Sequence, residues 1–305
     1  MKAIRLHRHG GPEQLVYEEA PVPRPASGEV LLRVHAAAVT PSELLWMPTW
    51  KTRRGEDRPL LRIPGHELSG VVEEVGAGVF DLTTGQEVYG LNDWFADGTD
   101  AEYCVAPAAA VAPRPRSIDH VHAGAVPISA LTAWQALFEH GRLVRGQRAL
   151  IHGGSGGVGS FAVQLAHARG AHVIATASAH HIDLVRDLGA DEVIDYRADR
   201  FDEVVRYVDL VLDTVGGETL ERSRRVLKSG GRLVTIAAGS EGEPVESLGA
   251  VFFIVEARRD ELGEIARWID AGRLRVVIGS VFPLADARRA YETKPSRGKN
   301  VLRVS

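Results

Sequence analysis

A glycine-rich segment is the strongest chemical signal in this sequence. Residues 151–159 read IHGGSGGVG and contain Gly154-x-Gly156-x-x-Gly159 as well as Gly153-x-x-Gly156-x-x-Gly159. Because glycine lacks a Cβ atom, the N–H groups of such a loop and of the helix that follows it can lie against a pyrophosphate. The segment therefore predicts a dinucleotide site, and glycines that serve tight packing alone are the alternative.

The end of the next strand indicates which dinucleotide the loop binds. NAD-binding folds place Asp or Glu there, about 20 residues after the loop, to hold the ribose 2′-hydroxyl. Residues 175–181 read ATASAHH, and the first acid, Asp183, falls in the following helix. A carboxylate repels a 2′-phosphate, whereas Ser178 can donate a hydrogen bond and a neighbouring histidine can gain charge. The cofactor is therefore predicted to be NADP(H); the alternative is that Ser178 and His180 only cap the next helix.

The glycine loop needs a strand before it and a helix after it, and the sequence supplies both. An apolar strand is expected at Arg148–His152 and a helix at Val158–Arg169. Further strands are expected at Ala171–Thr176, Glu192–Ile194, Val208–Leu212 and Arg232–Ile236, and further helices at His180–Leu188, Glu218–Leu227 and Glu261–Ala271. Strands that alternate with helices in this way predict an α/β fold with a doubly wound parallel sheet.

The first hundred residues have a different character. Strand-like segments at Glu29–Val39 and Gly70–Val75 are separated by Pro and Gly turns, which predicts a compact β-rich unit. The stretch Pro107–Pro115 interrupts regular structure, and the tail Leu274–Ser305 returns to strand-like segments. We therefore expect one domain from residues 1–118 with 272–305, and a dinucleotide-binding domain from 119–271.

Composition excludes several other function classes. The 305 residues include 36 Lys or Arg and 40 Asp or Glu, a net charge of −4, with no broad basic face for nucleic acid or an anionic membrane. Apolar stretches such as Ala250–Val255 are far shorter than the roughly 20 residues of a membrane span. The first residues lack the apolar core of an export signal, and one cysteine, Cys104, excludes a disulfide framework. A cytoplasmic protein is expected.

Several motifs in order resemble one known family. They are PGHELSGVV at 64–72, GQEVYG at 85–90, AVPISALTAW at 125–134, the glycine loop, and DTVGG at 213–217. Together they resemble the medium-chain dehydrogenase/reductase family, and more narrowly its zinc-independent quinone oxidoreductase (zeta-crystallin-like) branch. The resemblance implies a GroES-like β-rich catalytic domain and a Rossmann domain. It also implies NADPH-dependent reduction of quinones or of activated carbon–carbon double bonds.

The resemblance also assigns residues to the cofactor. Relatives often carry Lys or Arg where this chain has His181. The assigned residues are Thr132 at the nicotinamide end; Gly156, Gly157 and Val158 at the pyrophosphate; Ser178 and His181 near the 2′-phosphate; Tyr196 near the adenosine phosphate; and Asn300 in a C-terminal segment that returns to the cleft. Gly153, Gly154 and Ser155 of the glycine loop complete the predicted cofactor-binding residues.

The GHE triplet is expected not to bind zinc. In zinc-dependent relatives the histidine at the His66 position is a ligand, with a cysteine upstream and a Cys or carboxylate before the dinucleotide-binding strand. Here Thr40 stands near the place of that cysteine, and Pro127–Ala130 supplies no soft or anionic ligand. Catalytic zinc needs three protein ligands and an open position. His66 is therefore expected to be a hydrogen-bonded residue of the cleft.

Without a metal, the predicted chemistry is hydride transfer to a quinone or an enone, with hydrogen bonds to the oxygen that gains charge. The candidate donors are Thr40 and Ser42, with His66 behind them. Trp46, Trp50 and Trp94 offer flat faces for a planar acceptor, or pack an interface instead.

Three further alternatives stay open at this point. Behind the quinone or enone reductase, the second hypothesis is a dedicated enoyl reductase or cyclase-like enzyme of secondary metabolism. The third is a protein that binds NADPH without turnover. Ala250–Val255 resembles the strand that pairs subunits in relatives, which predicts a homodimer; an internal strand is the alternative.

Overall fold

The computed structural model describes residues 1–237, 239 and 245–305 of the chain. Its strands within these residues are β1 (Lys2–Leu6), β2 (Leu15–Glu19), β3 (Glu29–Ala38), β4 (Glu67–Val75), β5 (Glu87–Leu91), β6 (Tyr103–Pro107), β7 (Val111–Pro113), β8 (Arg148–Ile151), β9 (His172–Ala177), β10 (Glu192–Asp195), β11 (Val208–Asp213), β12 (Leu227–Thr235), β13 (Ala250–Phe252), β14 (Ile278–Pro283) and β15 (Lys299–Arg303).

The α-helices of the same residues are α1 (Met47–Trp50), α2 (His120–Gly124), α3 (Pro127–Trp134), α4 (Gly157–Ala168), α5 (Ile182–Asp187), α6 (Phe201–Val204), α7 (Glu218–Ser223), α8 (Arg259–Asp270) and α9 (Ala287–Glu292). A π-helical turn, Gln135–His140, continues α3. No helix in the described part of the chain is long and apolar enough to cross a membrane.

The chain divides into two compact units. The first consists of residues 1–128, 257–271 and 276–305, and the second of residues 129–256 and 272–275. Residues 119–128 and 257–271 thus belong to the first unit. In the second of these segments, α8 packs on β7 and the Tyr89 hydroxyl donates to the Leu262 carbonyl oxygen at 2.6 Å. The compact units are therefore not identical to the two domains expected from the sequence, whose limits stay a prediction.

The second unit is built around a parallel sheet with the order β10-β9-β8-β11-β12-β13. Its central strands β8 and β11 are short and apolar, which is typical of parallel strands buried on both faces. The core includes Leu150, Ile174, Val211 and Leu233. The predicted Rossmann-type doubly wound fold is confirmed.

The first unit is a mostly antiparallel β structure. One sheet has the order β14-β15-β3-β4-β5-β7, with β6 also paired to β3, and the hairpin β1–β2 forms a second sheet. Val30, Leu32, Leu68 and Val88 belong to the core between these strands. β15 pairs with β3, so the C-terminal tail returns to the first hundred residues as expected. The predicted GroES-like unit is confirmed.

Element limits differ from the predicted ones where local chemistry decides them. The helix expected at Glu218–Leu227 ends at Ser223, and a 3-10 turn then leads directly into β12 at Leu227. In the tail Leu274–Ser305, which was expected to return to strand-like segments, the first strand begins only at Ile278. α9, which was not predicted, is a short helix whose Ala287, Ala290 and Tyr291 are buried, and its apolar face gives a weak signal over six residues.

Candidate functional site

The loops after four strands of the second unit meet at one edge of its sheet. β8, β9, β10 and β11 are parallel, so their carboxyl ends lie at the same edge, where the glycine loop, Ser178, Tyr196 and Thr214 follow them. β8 lies between β9 and β11, which makes this edge the point where the strand order reverses. Ligands of doubly wound sheets bind at such a point.

The glycine loop folds tightly between β9 and α4. Gly153 has a φ of 71°, a conformation that favours glycine, and the Gly154 N–H donates to the Thr176 carbonyl oxygen at 2.9 Å. A Cβ atom on Gly159 would lie 2.1 Å from the Gly153 carbonyl oxygen, so only glycine permits this approach of α4. α4 begins at Gly157, and the N–H groups of its first turn have no partner within the helix. This arrangement can hold a phosphate group.

His152, which directly precedes the glycines, is a feature that the sequence reasoning missed. Its buried ring has Nδ1 at 3.2 Å from Thr176 Oγ1 and Nε2 at 3.1 Å from Ser223 Oγ. Burial, helped by the positive charge of Arg222, lowers the pKa of His152 to about 3. The ring is therefore neutral near pH 7 and links the start of the loop to β9 and α7. A lone histidine inside an apolar strand-to-loop segment is the signal that could have found it.

The side chains assigned to the adenosine end lie at the same edge of the sheet. Ser178 precedes a 3-10 turn without making a capping hydrogen bond, and its Oγ lies 3.5 Å from His181 Nδ1. Tyr196 directly follows β10 and is 56% exposed. Asp183 lies in α5 with its side chain in solvent. Residues 175–181, all described, thus offer a hydroxyl and imidazoles at this position and no carboxylate.

Two further residues assigned to the cofactor are less accessible. Thr132 lies in α3 and is 6% exposed. The Asn300 amide donates to the carbonyl oxygens of Ala290 at 3.1 Å and Thr293 at 2.7 Å, and its Oδ1 accepts from the Ser280 N–H at 3.2 Å. The side chain of Asn300 is thus used to fix α9 and β14 to β15, and cofactor contact by either residue stays a prediction.

The first unit buries a set of polar side chains, here called the ionic cluster, that the sequence reasoning largely missed. Its members come from five separated parts of the chain, and each is less than one-tenth exposed. They are Glu43, His66, Glu67, Asp100, Tyr291 and Lys299. Only His66 was singled out in advance, because the others lie too far apart in sequence to form a motif.

One half of the ionic cluster is a row of hydrogen bonds that ends at His66. The Tyr291 hydroxyl contacts Glu43 Oε1 and lies 2.8 Å from Asp100 Oδ2. A hydroxyl has one proton, so one of the two carboxyl groups must itself donate. Burial and the nearby charge of Glu43 raise the pKa of Asp100 well above its usual range, which makes Asp100 the protonated carboxyl. Glu43 Oε2 then lies 2.9 Å from His66 Nδ1, and His66 Nε2 lies 3.3 Å from the Trp94 carbonyl oxygen.

The other half of the ionic cluster is centred on Lys299. Its Nζ donates to Thr40 Oγ1 at 2.9 Å and to Glu67 Oε1. Glu67 Oε2 accepts the N–H of Ile128 at 2.8 Å, so both carboxylate oxygens are satisfied. Burial raises the pKa of Glu67, and the Lys299 charge opposes that shift.

The candidate donors Thr40 and Ser42 lie beside this cluster. Both are half-buried at the start of the 3-10 turn Pro41–Leu45, which also carries Glu43. The Glu43 N–H donates to the Thr40 carbonyl oxygen at 2.9 Å. The structure therefore brings Thr40, Ser42 and His66 into one neighbourhood of the first unit, and their role as donors stays a prediction.

The three tryptophans assigned to the acceptor separate into two groups. Trp46 and Trp94 border His66, with ring centroids at 6.0 and 4.9 Å from the imidazole, and contact each other edge-on at 5.6 Å. Trp50 instead stacks on His9 at 3.9 Å, and its indole N–H donates to a main-chain carbonyl oxygen at 2.6 Å. The structure thus places Trp46 and Trp94 together, while Trp50 packs against a different part of the unit.

Two families match the chain. The alcohol dehydrogenase GroES-like domain matches residues 26–116, and the zinc-binding dehydrogenase family matches residues 188–302. Residues 1–237, 239 and 245–305 contain no group of three or more His, Cys, Asp or Glu side chains that could hold a metal ion.

The relatives of this chain reported below are named as oxidoreductases. The chain is 35% identical to a mitochondrial NAD(P)H oxidoreductase of Mus musculus, over 90% of this chain and 82% of the relative. It is 33% identical to the chloroplastic NADPH-dependent alkenal/one oxidoreductase of Arabidopsis thaliana, over 99% of this chain and 79% of the relative. It is 30% identical to the quinone oxidoreductase of Rattus norvegicus, over 96% and 93%. Two of these relatives are named as mitochondrial and chloroplastic proteins, so the cytoplasmic localisation of this chain stays a prediction.

Solved structures agree in fold along the whole chain. The quinone oxidoreductase of Coxiella burnetii has a TM-score of 0.92 at 29% identity and covers 100% of this chain and 99% of its own. A mycobacterial protein complexed with NADPH has a TM-score of 0.84 at 29% identity and covers all of both chains. A cobalt- and zinc-bound alcohol dehydrogenase of Pyrobaculum aerophilum has a TM-score of 0.85 at 29% identity, over 100% and 99%. The fold alone therefore does not decide whether a metal is used.

Proposed function

Because this chain belongs to the medium-chain dehydrogenase/reductase family, in its quinone oxidoreductase branch, and is an NAD(P)H-dependent oxidoreductase, we propose that it reduces a quinone or an α,β-unsaturated carbonyl compound with NADPH and without zinc. The observation that carries this proposal is the half-buried pair of hydroxyls, Thr40 and Ser42, beside the ionic cluster. Hydroxyls suit hydrogen bonding to an oxygen, and the Lys299 ammonium group on Thr40 does not suit a cation. The acceptor is a small electrophilic molecule.

The cofactor side rests on the glycine loop and the strand ends beside it. Gly153 to Val158 would hold the pyrophosphate through main-chain N–H groups at the start of α4. Ser178 and His181 would face the 2′-phosphate, with Tyr196 beside the adenosine phosphate. The absence of a carboxylate at residues 175–181, a fully described stretch, favours NADPH over NADH, as do the NADPH names of a relative and of a structural neighbour.

The residues at the zinc position of dehydrogenases do not fit a metal ion in this chain. Thr40, near the place of a cysteine ligand, has its oxygen occupied by the ammonium group of Lys299, and that positive charge disfavours a second cation. His66 has both ring nitrogens within hydrogen-bond distance of Glu43 and of the Trp94 carbonyl oxygen. A zinc site needs deprotonated ligands that converge on one point. Here Thr40 and His66 are instead engaged by Lys299, Glu43 and the Trp94 carbonyl oxygen.

The chemistry then needs little from the protein beyond orientation and charge stabilisation. When bound, NADPH supplies a hydride from C4 of its nicotinamide ring to the electron-poor carbon, and a proton from water completes the reduction. Thr40 and Ser42, with His66 behind them, are the proposed donors to the oxygen that becomes negative. One preorganised donor of this kind contributes about 3 kcal/mol to the transition state. Trp46 and Trp94 would hold the planar acceptor beside His66.

The direct test is a panel of quinones, alkenals and enones, with oxidation of NADPH and NADH followed at equal concentrations. We expect turnover with NADPH, a higher kcat/KM for NADPH than for NADH, and no loss on treatment with a strong chelator. Essential stoichiometric zinc, or a preference for NADH, would overturn the corresponding part of the proposal. Tight NADPH binding with no turnover on any acceptor would contradict the proposed activity as a whole.

A homodimer is proposed on the position of β13. This strand ends the sheet order and pairs with β12 on one side. Val251 within it is 42% exposed and Ile254 just after it is 57% exposed. Sedimentation velocity is the test: the wild type should sediment as a dimer, and Val251→Lys should weaken the dimer. A wild type that is monomeric at all concentrations contradicts the proposed homodimer.

A further inference from the structure

The three proposed donors differ in whether a proton is left to donate. Both ring nitrogens of His66 already have partners, Glu43 on one side and the Trp94 carbonyl oxygen on the other. Ser42 makes no side-chain hydrogen bond with the described residues of the first unit, so none of them fixes the direction of its hydroxyl. Only Thr40 has a hydroxyl that another group orients.

Lys299 determines that orientation. An ammonium group has three N–H donors and no acceptor, so at an Nζ to Oγ1 distance of 2.9 Å the Thr40 oxygen must accept. The Thr40 proton is thereby directed away from Lys299. Among the described residues of the first unit Thr40 Oγ1 has no acceptor for its own proton, and Thr40 is only half-buried, so this proton is left for a ligand.

Lys299 is itself held in place. It is 8% exposed and paired with Glu67, which is fully buried and anchored by the Ile128 N–H at 2.8 Å. The Lys299 backbone lies in β15, next to Asn300, whose carbonyl oxygen accepts the Val39 N–H at 2.9 Å. The ammonium group therefore approaches Thr40 from a fixed direction. Hydrogen bonds from a charged donor also polarise the group that accepts them, which strengthens its own donation.

We propose that Lys299 is a positioning residue, which holds the Thr40 hydroxyl as a hydrogen-bond donor to the oxygen of the bound quinone or enone. The inference rests on the proposed function and adds to it a division of roles. The hydride adds to carbon and negative charge develops on the conjugated oxygen. Thr40 stabilises that charge, Lys299 directs Thr40, and Glu67 fixes Lys299. No proton leaves Lys299, and the proton that completes the product comes from water.

The experiment is a double-mutant cycle measured with NADPH and the best acceptor of the panel. Thr40→Val removes the proton and keeps the shape, and Thr40→Ser restores a hydroxyl. Glu67→Gln with Lys299→Met removes the ammonium group without leaving a lone buried charge. Thr40→Val is made in both the wild type and this neutral-pair background. Thr84→Val, at an exposed turn of the same unit, is the matched control, and thermal midpoints show that each variant is folded.

In the wild-type background we expect Thr40→Val to lower kcat about 100-fold with little change in KM or in NADPH affinity, because the bond strengthens only in the transition state. Thr40→Ser should restore kcat to within about fivefold of wild type. In the neutral-pair background Thr40→Val should lower kcat by less than about tenfold, since the Thr40 proton is no longer directed by an ammonium group.

An equal cost of Thr40→Val in both backgrounds overturns this inference alone. A Thr40→Val variant whose turnover equals that of the Thr84→Val control overturns the inference together with the donor role of Thr40, while NADPH-dependent reduction of a quinone or enone still stands. A wild type without turnover on any acceptor overturns the proposed function and, with it, this inference.

Discussion

The two candidate sites of this protein use different parts of the chain to supply polar groups. The glycine loop is contiguous, and its chemistry comes from main-chain N–H groups that only glycines leave accessible. The ionic cluster comes from five separated segments, and its chemistry comes from side chains that are removed from water. The first site should therefore tolerate a change of charge and not a change of size. The second should tolerate a conservative change of size and not an unbalanced charge.

Lys299→Met should have the largest effect, because it tests the charge side of this comparison. It leaves the fully buried carboxylate of Glu67 without its ion partner, and removal of one partner of a buried pair costs about 3–5 kcal/mol. The free energy of unfolding from urea denaturation is the measurement. The double variant Glu67→Gln with Lys299→Met should lie within about 2 kcal/mol of wild type. If the single variant is as stable as the double, the cluster is not held by its charge balance.

This contrast also explains how much of the molecule could be predicted from the sequence. Gly153, Gly156 and Gly159 have fixed spacing, so the loop, its strand and its helix could be located without a structure. Glu43 and Tyr291 lie 248 positions apart, and their contact depends on α9, whose short apolar face gives only a weak signal in the sequence. The fold class followed from alternating strands and helices. The separation of Trp50 from Trp46 and Trp94 could not follow, because loop conformation decides it.

Gly159→Ala tests the size side of the comparison. The added Cβ atom would lie 2.1 Å from the Gly153 carbonyl oxygen, a main-chain atom that can move only if the loop or α4 moves. We expect a loss of about 3 kcal/mol in stability and at least tenfold weaker NADPH binding, on the order expected for overpacking. Isothermal titration with NADPH and urea denaturation are the measurements.

The matched control for this change is Gly263→Ala in α8. A Cβ atom there meets nothing within 4 Å, so the same substitution should stabilise the protein by about 0.5–1 kcal/mol through helix propensity. Equal effects of the two substitutions would show that the close approach at Gly159 has no energetic consequence.

His152 sharpens the comparison, because it places one titratable side chain beside the main-chain site. Its pKa in the folded protein is about 3, lowered chiefly by burial and further by Arg222, whereas an unfolded histidine titrates near about 6.5. As pH falls below that value the unfolded state takes up a proton that the folded state does not, so stability decreases, by about 2 kcal/mol at pH 5. The loss should level off near pH 3.

His152→Asn keeps a donor and an acceptor for Thr176 and Ser223 without titrating. The free-energy difference between wild type and this variant, from hydrogen exchange of β8 and β9 amides, should therefore shift by about 2 kcal/mol between pH 7 and pH 5. His180→Asn, at an exposed position of the same unit, is the control, and an identical pH dependence in all three proteins would show that the buried ring does not set the acid stability of the sheet beneath the glycine loop.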